Sequence, residues 1–205
     1  MKNNIIDVKR TESSPTEPCT LAEAKLQCIV TYSDDDALIT DYITMARKVI
    51  ENYCNISIVT QSVTLTADLY NEWELPYGPV TGITGVSTRS PNEGSGPMTY
   101  TTQASGWGQD GVDFLTFIPA YAGDFNINIA YTGVNTAYPW KNRYRITYTT
   151  GYGTVPDDLK QAVLFQVAWM YENRGDDPAN KYNWYPGVCE PALKFADPYK
   201  RQLWQ

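Results

Sequence analysis

The apolar positions of this chain follow two different periods. Towards both ends they recur every three or four residues, the spacing of a helix face; between about residues 56 and 152 they tend to alternate, the spacing of a strand. Thr20-Leu21-Ala22-Glu23 has a hydroxyl residue followed three positions later by a glutamate, the capping-box pattern. It predicts a short helix over about 20–29, with Leu21, Ala24 and Cys28 inward. Ser33-Asp34-Asp35-Asp36 predicts a second helix start, with Ser33 as N-cap and the acids in the positive first turn. Its stripe is Ile39, Tyr42, Ile43, Ala46, Ile50 and Tyr53, and it should end near Cys54. The acid triplet fits this helix-start role and lacks the spacing of a calcium loop.

In the middle of the chain, Ser57, Val59, Gln61, Val63, Leu65 and Ala67 share one face of a long expected strand. A turn-rich crossing, Leu75–Val80, leads to a second strand from about Thr81. Pro91–Pro97 reads as a loop or hairpin tip; its Gly94-Ser95-Gly96 is no phosphate loop, because no Gly-Lys-Ser/Thr follows. Met98–Gln103 and Val112–Ile118 read as short strands, Phe125–Tyr131 alternates cleanly, and Arg143–Thr150 closes the set. Strands at this spacing argue for an antiparallel sheet, sandwich or small barrel.

Gly151 and Gly153 break the last strand, and Pro156-Asp157-Asp158 opens a helix of about 18 residues, with Arg174 and Gly175 at its end. Leu159, Ala162, Val163, Val167 and Met170 form one stripe; Leu164, Phe165, Ala168, Trp169 and Tyr171 cover much of the rest. A helix apolar nearly all round is buried on several sides. Two readings stand: the core helix of a monomer, or a helix with one face against a neighbouring subunit, for which Phe165, Trp169 and Tyr171 are the candidates. Beyond it come an aromatic turn with Trp184 and Tyr185, a short helix over Glu190–Ala196 stopped at Asp197-Pro198, and a tail with Leu203 and Trp204. The tail either lies back on its own domain or meets a neighbour. Residues 1–18 are polar and read as an irregular arm.

Composition narrows the function. The net charge is −7 and no Lys/Arg-rich run exists, which argues against phosphate-reading nucleic-acid binding. Histidine is absent, so Ser-His-Asp and Cys-His nucleophiles and histidine-held zinc are excluded. A carboxylate pair stays open, with Asp110, Asp113 and Asp124 on turn-rich segments among the candidates; loop acids of this kind are usually just solvated. Cys19, Cys28, Cys54 and Cys189 have no metal spacing and read as free thiols of a protein made in a reducing cytoplasm. No signal peptide or membrane-length apolar run is visible. The 16 Tyr and 6 Trp suit interfaces or strands.

The order of these pieces resembles the head–tail connector family of tailed bacteriophages. Thr20–Lys25, Asp34–Ile39, Ile50–Cys54, Ile58–Gln61, Leu75-Pro76, Pro79–Ile83, Ile146–Gly153, Val155–Ala162 and Tyr171–Arg174 carry the likeness over roughly residues 20–175, with a weaker echo at Tyr185–Val188. Region 91–142 is longer and more aromatic than the family's usual inserted sheet, and the match after Pro191 is loose.

The resemblance implies an α+β fold: a bundle of three to four helices with an antiparallel sheet or sandwich inserted between the second helix and the long central one. The expected parts are an arm (1–19), a helical core (20–55 and 153–197), an inserted β-subdomain (56–152) and a tail (198–205). It implies a structural adaptor and no enzyme, with no cofactor and no metal. The expected assembly is a twelve-fold homo-oligomeric ring in the virion, between the portal protein and downstream tail or adaptor proteins, made in the host bacterial cytoplasm and with no membrane role. Genomic DNA would pass through the ring without sequence-specific binding, past a summed charge on the order of −80. Trp184, Tyr185, Leu203 and Trp204 become portal or neighbour contacts, and removing residues 191–205 is expected to leave a folded subunit that cannot join the portal. The competing reading is a β-rich virion module that binds carbohydrate or a receptor through Trp107, Tyr121, Tyr138 and Trp140.

Overall fold

The expected capping box is present. The Thr20 hydroxyl accepts from the Glu23 N–H at 3.2 Å, the Glu23 carboxylate accepts from the Thr20 N–H at 2.9 Å, and helix α1 runs Leu21–Gln27. The computed structural model describes residues 4–12, 16–68, 73–89, 100–102, 107–110, 116–119, 143–174 and 187–201. Contacts divide them into a helical unit, residues 16–60 and 151–201, and a β unit, residues 4–12 and 61–150.

In the helical unit, α1 is followed by α2 (Asp36–Cys54), α3 (Asp157–Glu172) and α4 (Glu190–Ala196), which runs into a 3-10 turn, Asp197–Tyr199. The stripe of α2 is as expected at Ile39, Ile43, Ala46 and Ile50, all buried, with Tyr42 and Tyr53 half-buried. Its start differs. Ser33 is not the cap: the Asp36 N–H donates to the Ser33 carbonyl in a turn, and Asp35 occupies the cap position without capping, because its carboxylate is engaged elsewhere. Asn55 ends α2 in the left-handed region (φ 55°), a conformation asparagine tolerates. Helix α3 is two residues shorter than its expected length of about 18. Pro156 sits at its cap, and Asn173 closes it through N–H and side-chain bonds to the Trp169 carbonyl. The expected closing Gly175 lies outside the described residues.

Among the described residues, all strand pairing in the β unit is antiparallel. The strands are β1 (Asn4–Glu12), β2 (Gln61–Asp68), β3 (Trp73–Glu74), β4 (Val80–Arg89), β5 (Tyr100–Thr102), β6 (Trp107–Asp110), β7 (Thr116–Pro119) and β8 (Arg143–Thr150). They form a five-stranded sheet, β1-β2-β8-β4-β5, and a three-stranded sheet, β3-β7-β6. Alternation explains the core: Val63, Leu65 and Ala67 of β2 and Tyr144, Ile146 and Tyr148 of β8 are buried, together with Val80 and Val86 of β4. The Tyr148 hydroxyl, pushed well up by burial, donates to the Pro76 carbonyl at 2.9 Å. The protein is therefore α+β, a helical bundle with an antiparallel β insertion between α2 and α3, as expected.

Three strand expectations need correction. Residues 4–12 are not an irregular arm but edge strand β1, paired with β2 from Asn4↔Asp68 to Glu12↔Gln61. Its charges mask it in sequence, yet charges and a bulge (here at Ile6) are how an edge strand resists pairing with other chains. The long strand begins at Gln61, not near Ser57. Ser57 and Val59 are buried in the helical unit, where the Glu51 carboxylate accepts the Ile58 and Val59 N–H groups at 2.7 and 3.4 Å and so withdraws them from any ladder. Trp107–Asp110 is a strand that its Gly and Asp disguised. The expected Phe125–Tyr131 strand lies outside the described residues.

Candidate subunit interface

Helix α3 packs against α1, α2 and α4 of its own unit, and this accounts for most of its apolar circumference. Leu159, Ala162, Val163, Gln166 and Val167 are fully buried. Gln166 needs partners there and has them: its Nε2 donates to the Gly187 carbonyl at 2.6 Å and its Oε1 accepts the Cys189 N–H at 2.8 Å, which fixes the approach to α4. Of the three residues assigned to a subunit contact, Phe165 stacks on Phe195 of α4 at 5.7 Å, Trp169 is half-buried one turn further on, and Tyr171 is buried. Trp184, Tyr185, Leu203 and Trp204 lie outside the described residues, as do Tyr121, Tyr138 and Trp140 of the competing reading.

Tyr171 is committed inside its own subunit. Its hydroxyl donates to the Asp35 carboxylate at 2.5 Å and lies 2.8 Å from the Tyr32 hydroxyl, while Arg174 stacks over its ring at 4.1 Å and reaches Asp35 at 3.3 Å. The hydrogen bond to Asp35 raises the Tyr171 pKa, and the Tyr171 hydroxyl is in turn the main cause lowering that of Asp35. The acid triplet is thus in part a helix-to-helix tie: Asp35 to α3, and Asp36 to Lys25 of α1 at 2.5 Å. A second tie joins Lys160 of α3 to Glu23 at 2.5 Å; the Lys160 hydrogen bond leads the causes that hold the Glu23 carboxyl at about 2.

One network had only a faint sequence signal. Arg47 is fully buried, donating through Nε and Nη2 to Glu17 at 2.8 and 3.1 Å and through Nη1 to Glu51 at 3.2 Å. Thr44 adds a third bond to Glu17 at 3.0 Å. The signal was an Arg and a Glu four apart beside the buried stripe of α2, a spacing more often found on a solvated face. The opposite surprise is apolar exposure. Leu26 and Ile29, at the end of α1, are 81% and 89% exposed.

The C-terminal segment belongs to the helical core. Ala192 and Ala196 are fully buried, Tyr53 donates to Asp197 at 2.6 Å, and the Arg201 N–H donates to the Cys54 carbonyl at 2.9 Å. Removing residues 191–205 would strip α4 from the bundle, so a truncation that leaves the fold intact must start after Arg201. All four cysteines are free thiols, and burial is the first cause that pushes Cys19 and Cys54 up to about 12. Among the described residues no acid or cysteine cluster has the geometry of a metal site, and no helix is long and apolar enough to cross a membrane.

Residues 18–75 match the family model of phage gp6-like head-tail connector proteins, which bears out the resemblance seen in the sequence. No curated protein sequence matches the chain. Three solved structures share its fold, each over 98% of both chains. They come from the neck of an empty gene transfer agent particle computed with C6 symmetry (TM-score 0.69, 17% identity), the virion of the native gene transfer agent particle (0.68, 19%) and the neck of the native particle computed with C12 symmetry (0.67, 19%).

Proposed function

We propose that this chain, which residues 18–75 place with the phage gp6-like head–tail connector proteins, is a structural connector in the neck of a phage-like particle. It forms a ring beneath the portal, extends the DNA channel and gives the tail its attachment platform. The observation that carries this reading is the agreement in fold with particle-neck chains over 98% of the molecule, helices and insertion together. The C6 and C12 symmetry of those necks supports a closed ring, of twelve copies in our reading. The chain acts as a scaffold and not as an enzyme, inside the virion, after synthesis in the host cytoplasm. DNA passes its ring without sequence-specific contact, as the net charge of −7 per copy favours. No observation favours the carbohydrate- or receptor-binding alternative.

Phe165 and Trp169 remain the best interface candidates on α3, since Tyr171 is satisfied internally. Trp184, Tyr185, Leu203 and Trp204 are proposed for the portal or a neighbouring copy. Native mass spectrometry of the full chain, with and without portal particles, tests the assignment. The expected result is a closed ring, or one copy bound per portal subunit. A monomer that ignores the portal overturns it.

A further inference from the structure

Helix α1 ends on a residue poorly suited to its place. The Val30 N–H donates to the Lys25 carbonyl at 2.9 Å and the Ile29 N–H to the Leu26 carbonyl at 3.2 Å, the pattern of a Schellman cap. That cap requires a left-handed residue, usually glycine, and Ile29 fills it at φ 57°. A β-branched side chain there is strained. Val30, the next residue, is buried and secures the turn, while Ile29 extends into solvent beside Leu26, with Tyr32 half-exposed nearby. Ile29 therefore costs backbone energy and is almost free of contacts in its own subunit.

A second apolar feature lies across α3. Tyr32 meets α3 at Tyr171, whereas Phe165 and Trp169 lie one turn apart on the same helix face, beside Phe195. Tyr171 is two residues past Trp169, about 200° round the helix. The segment that follows the projecting pair thus meets α3 on a side away from Trp169, and a head-to-tail ring joins two such different patches in one heterologous contact. Each patch has one exposed charge that can face the other. Exposed Glu172 lies near the end of α1, close enough to add to burial in raising the Cys28 pKa. Exposed Lys194 adjoins Phe195 in sequence, with a 3.7 Å surface pairing to Glu190.

We infer that Leu26 and Ile29 of one copy seat on the Phe165–Trp169–Phe195 face of the next copy, with Glu172 of the first facing Lys194 of the second. The inference rests on the ring reading above. Its test is Ile29→Gly in the full chain, followed by native mass spectrometry over a concentration series and by thermal unfolding. Glycine relieves the backbone and removes the projection, so Tm should hold or rise while self-association weakens at least about tenfold. Lys194→Glu should weaken association too, and adding Glu172→Lys should restore it. Unchanged association of Ile29→Gly, a fall in its Tm, or no recovery in the charge-swapped pair overturns this contact and leaves the ring standing. A wild-type chain that stays monomeric at millimolar concentration, with or without portal particles, overturns both.

Discussion

The helical core and the β core are lined by the same apolar residue types but differ in what else they enclose. The β unit buries neutral polar groups: Gln61, Thr66 and Thr150. The helical unit buries a charged pair, Arg47 and Glu51, and completes it with Glu17 from the segment before α1. A sheet satisfies its backbone by strand pairing, so its core can stay uncharged. The helical unit must also hold two irregular stretches, 16–20 and 55–60, whose backbone has no such partner. Carboxylates serve them: the buried Glu51 takes the N–H groups of Ile58 and Val59, and the partly exposed Glu17 anchors to α2. The lesson is that these charges position chain segments, since buried ion pairs often add little net stability over apolar replacements.

The sharpest way to break this comparison is Arg47→Met. It leaves the Glu51 carboxylate buried without its charge partner and should cost about 3–5 kcal/mol. The check is chemical denaturation followed by the helical circular dichroism signal. Ile146→Ala in the β core, fully buried on β8, should cost about 2–5 kcal/mol through lost burial and the cavity it leaves. If Arg47→Met costs less than about 1 kcal/mol, the ion pair is dispensable and the contrast fails.

The smallest effect sharpens the comparison at the surface of the helical unit. The Glu23 carboxyl, held at about 2 against an ordinary 4.5, is lowered in the folded state. Its contribution is therefore complete above about 4.5 and lost as pH falls towards about 2. Lys160→Met removes the leading cause. Carboxyl NMR titration should show the Glu23 pKa moving up towards its ordinary value, and the acid-induced loss of stability in that window should shrink. A pKa that stays near 2 would assign the shift to the Thr20 capping bonds instead.

Much of this architecture was legible in the residues. The capping box at Thr20, the stripe of α2 and strand β8 at Arg143–Thr150 all follow from local pattern, because period and cap chemistry act within a few residues. Strand β1 was not legible, since Asp7, Lys9, Arg10 and Glu12 hide an edge strand whose partner β2 is about fifty residues away. The extent of β2 failed for a related reason: Ser57 and Val59 continue its alternation, but Glu51 binds the intervening backbone. In the candidate interface, the aromatic face of α3 was visible as excess apolar surface. The commitment of Tyr171 to Asp35 was not, because it depends on two helices meeting far apart in sequence. Ile29 was unreadable too; only the backbone angle distinguishes an exposed isoleucine from a strained one.

The first and last residues of the insertion face each other: Gln61 pairs with Thr150 at the mouth of the sheet. For the rest of the chain, the ninety residues from 61 to 150 amount to a gap of one strand spacing, about 4.8 Å. Such a cassette has near-coincident ends, and replacing it with a short glycine-rich bridge between Thr60 and Gly151 adds little closure entropy. Because β1 is part of the same sheet, the exchangeable cargo includes residues 4–12, and a clean graft would begin the host at Thr16. A lineage can therefore lengthen, shrink or swap this cassette while keeping one helical chassis, and an engineer can use the same seam to display a foreign domain.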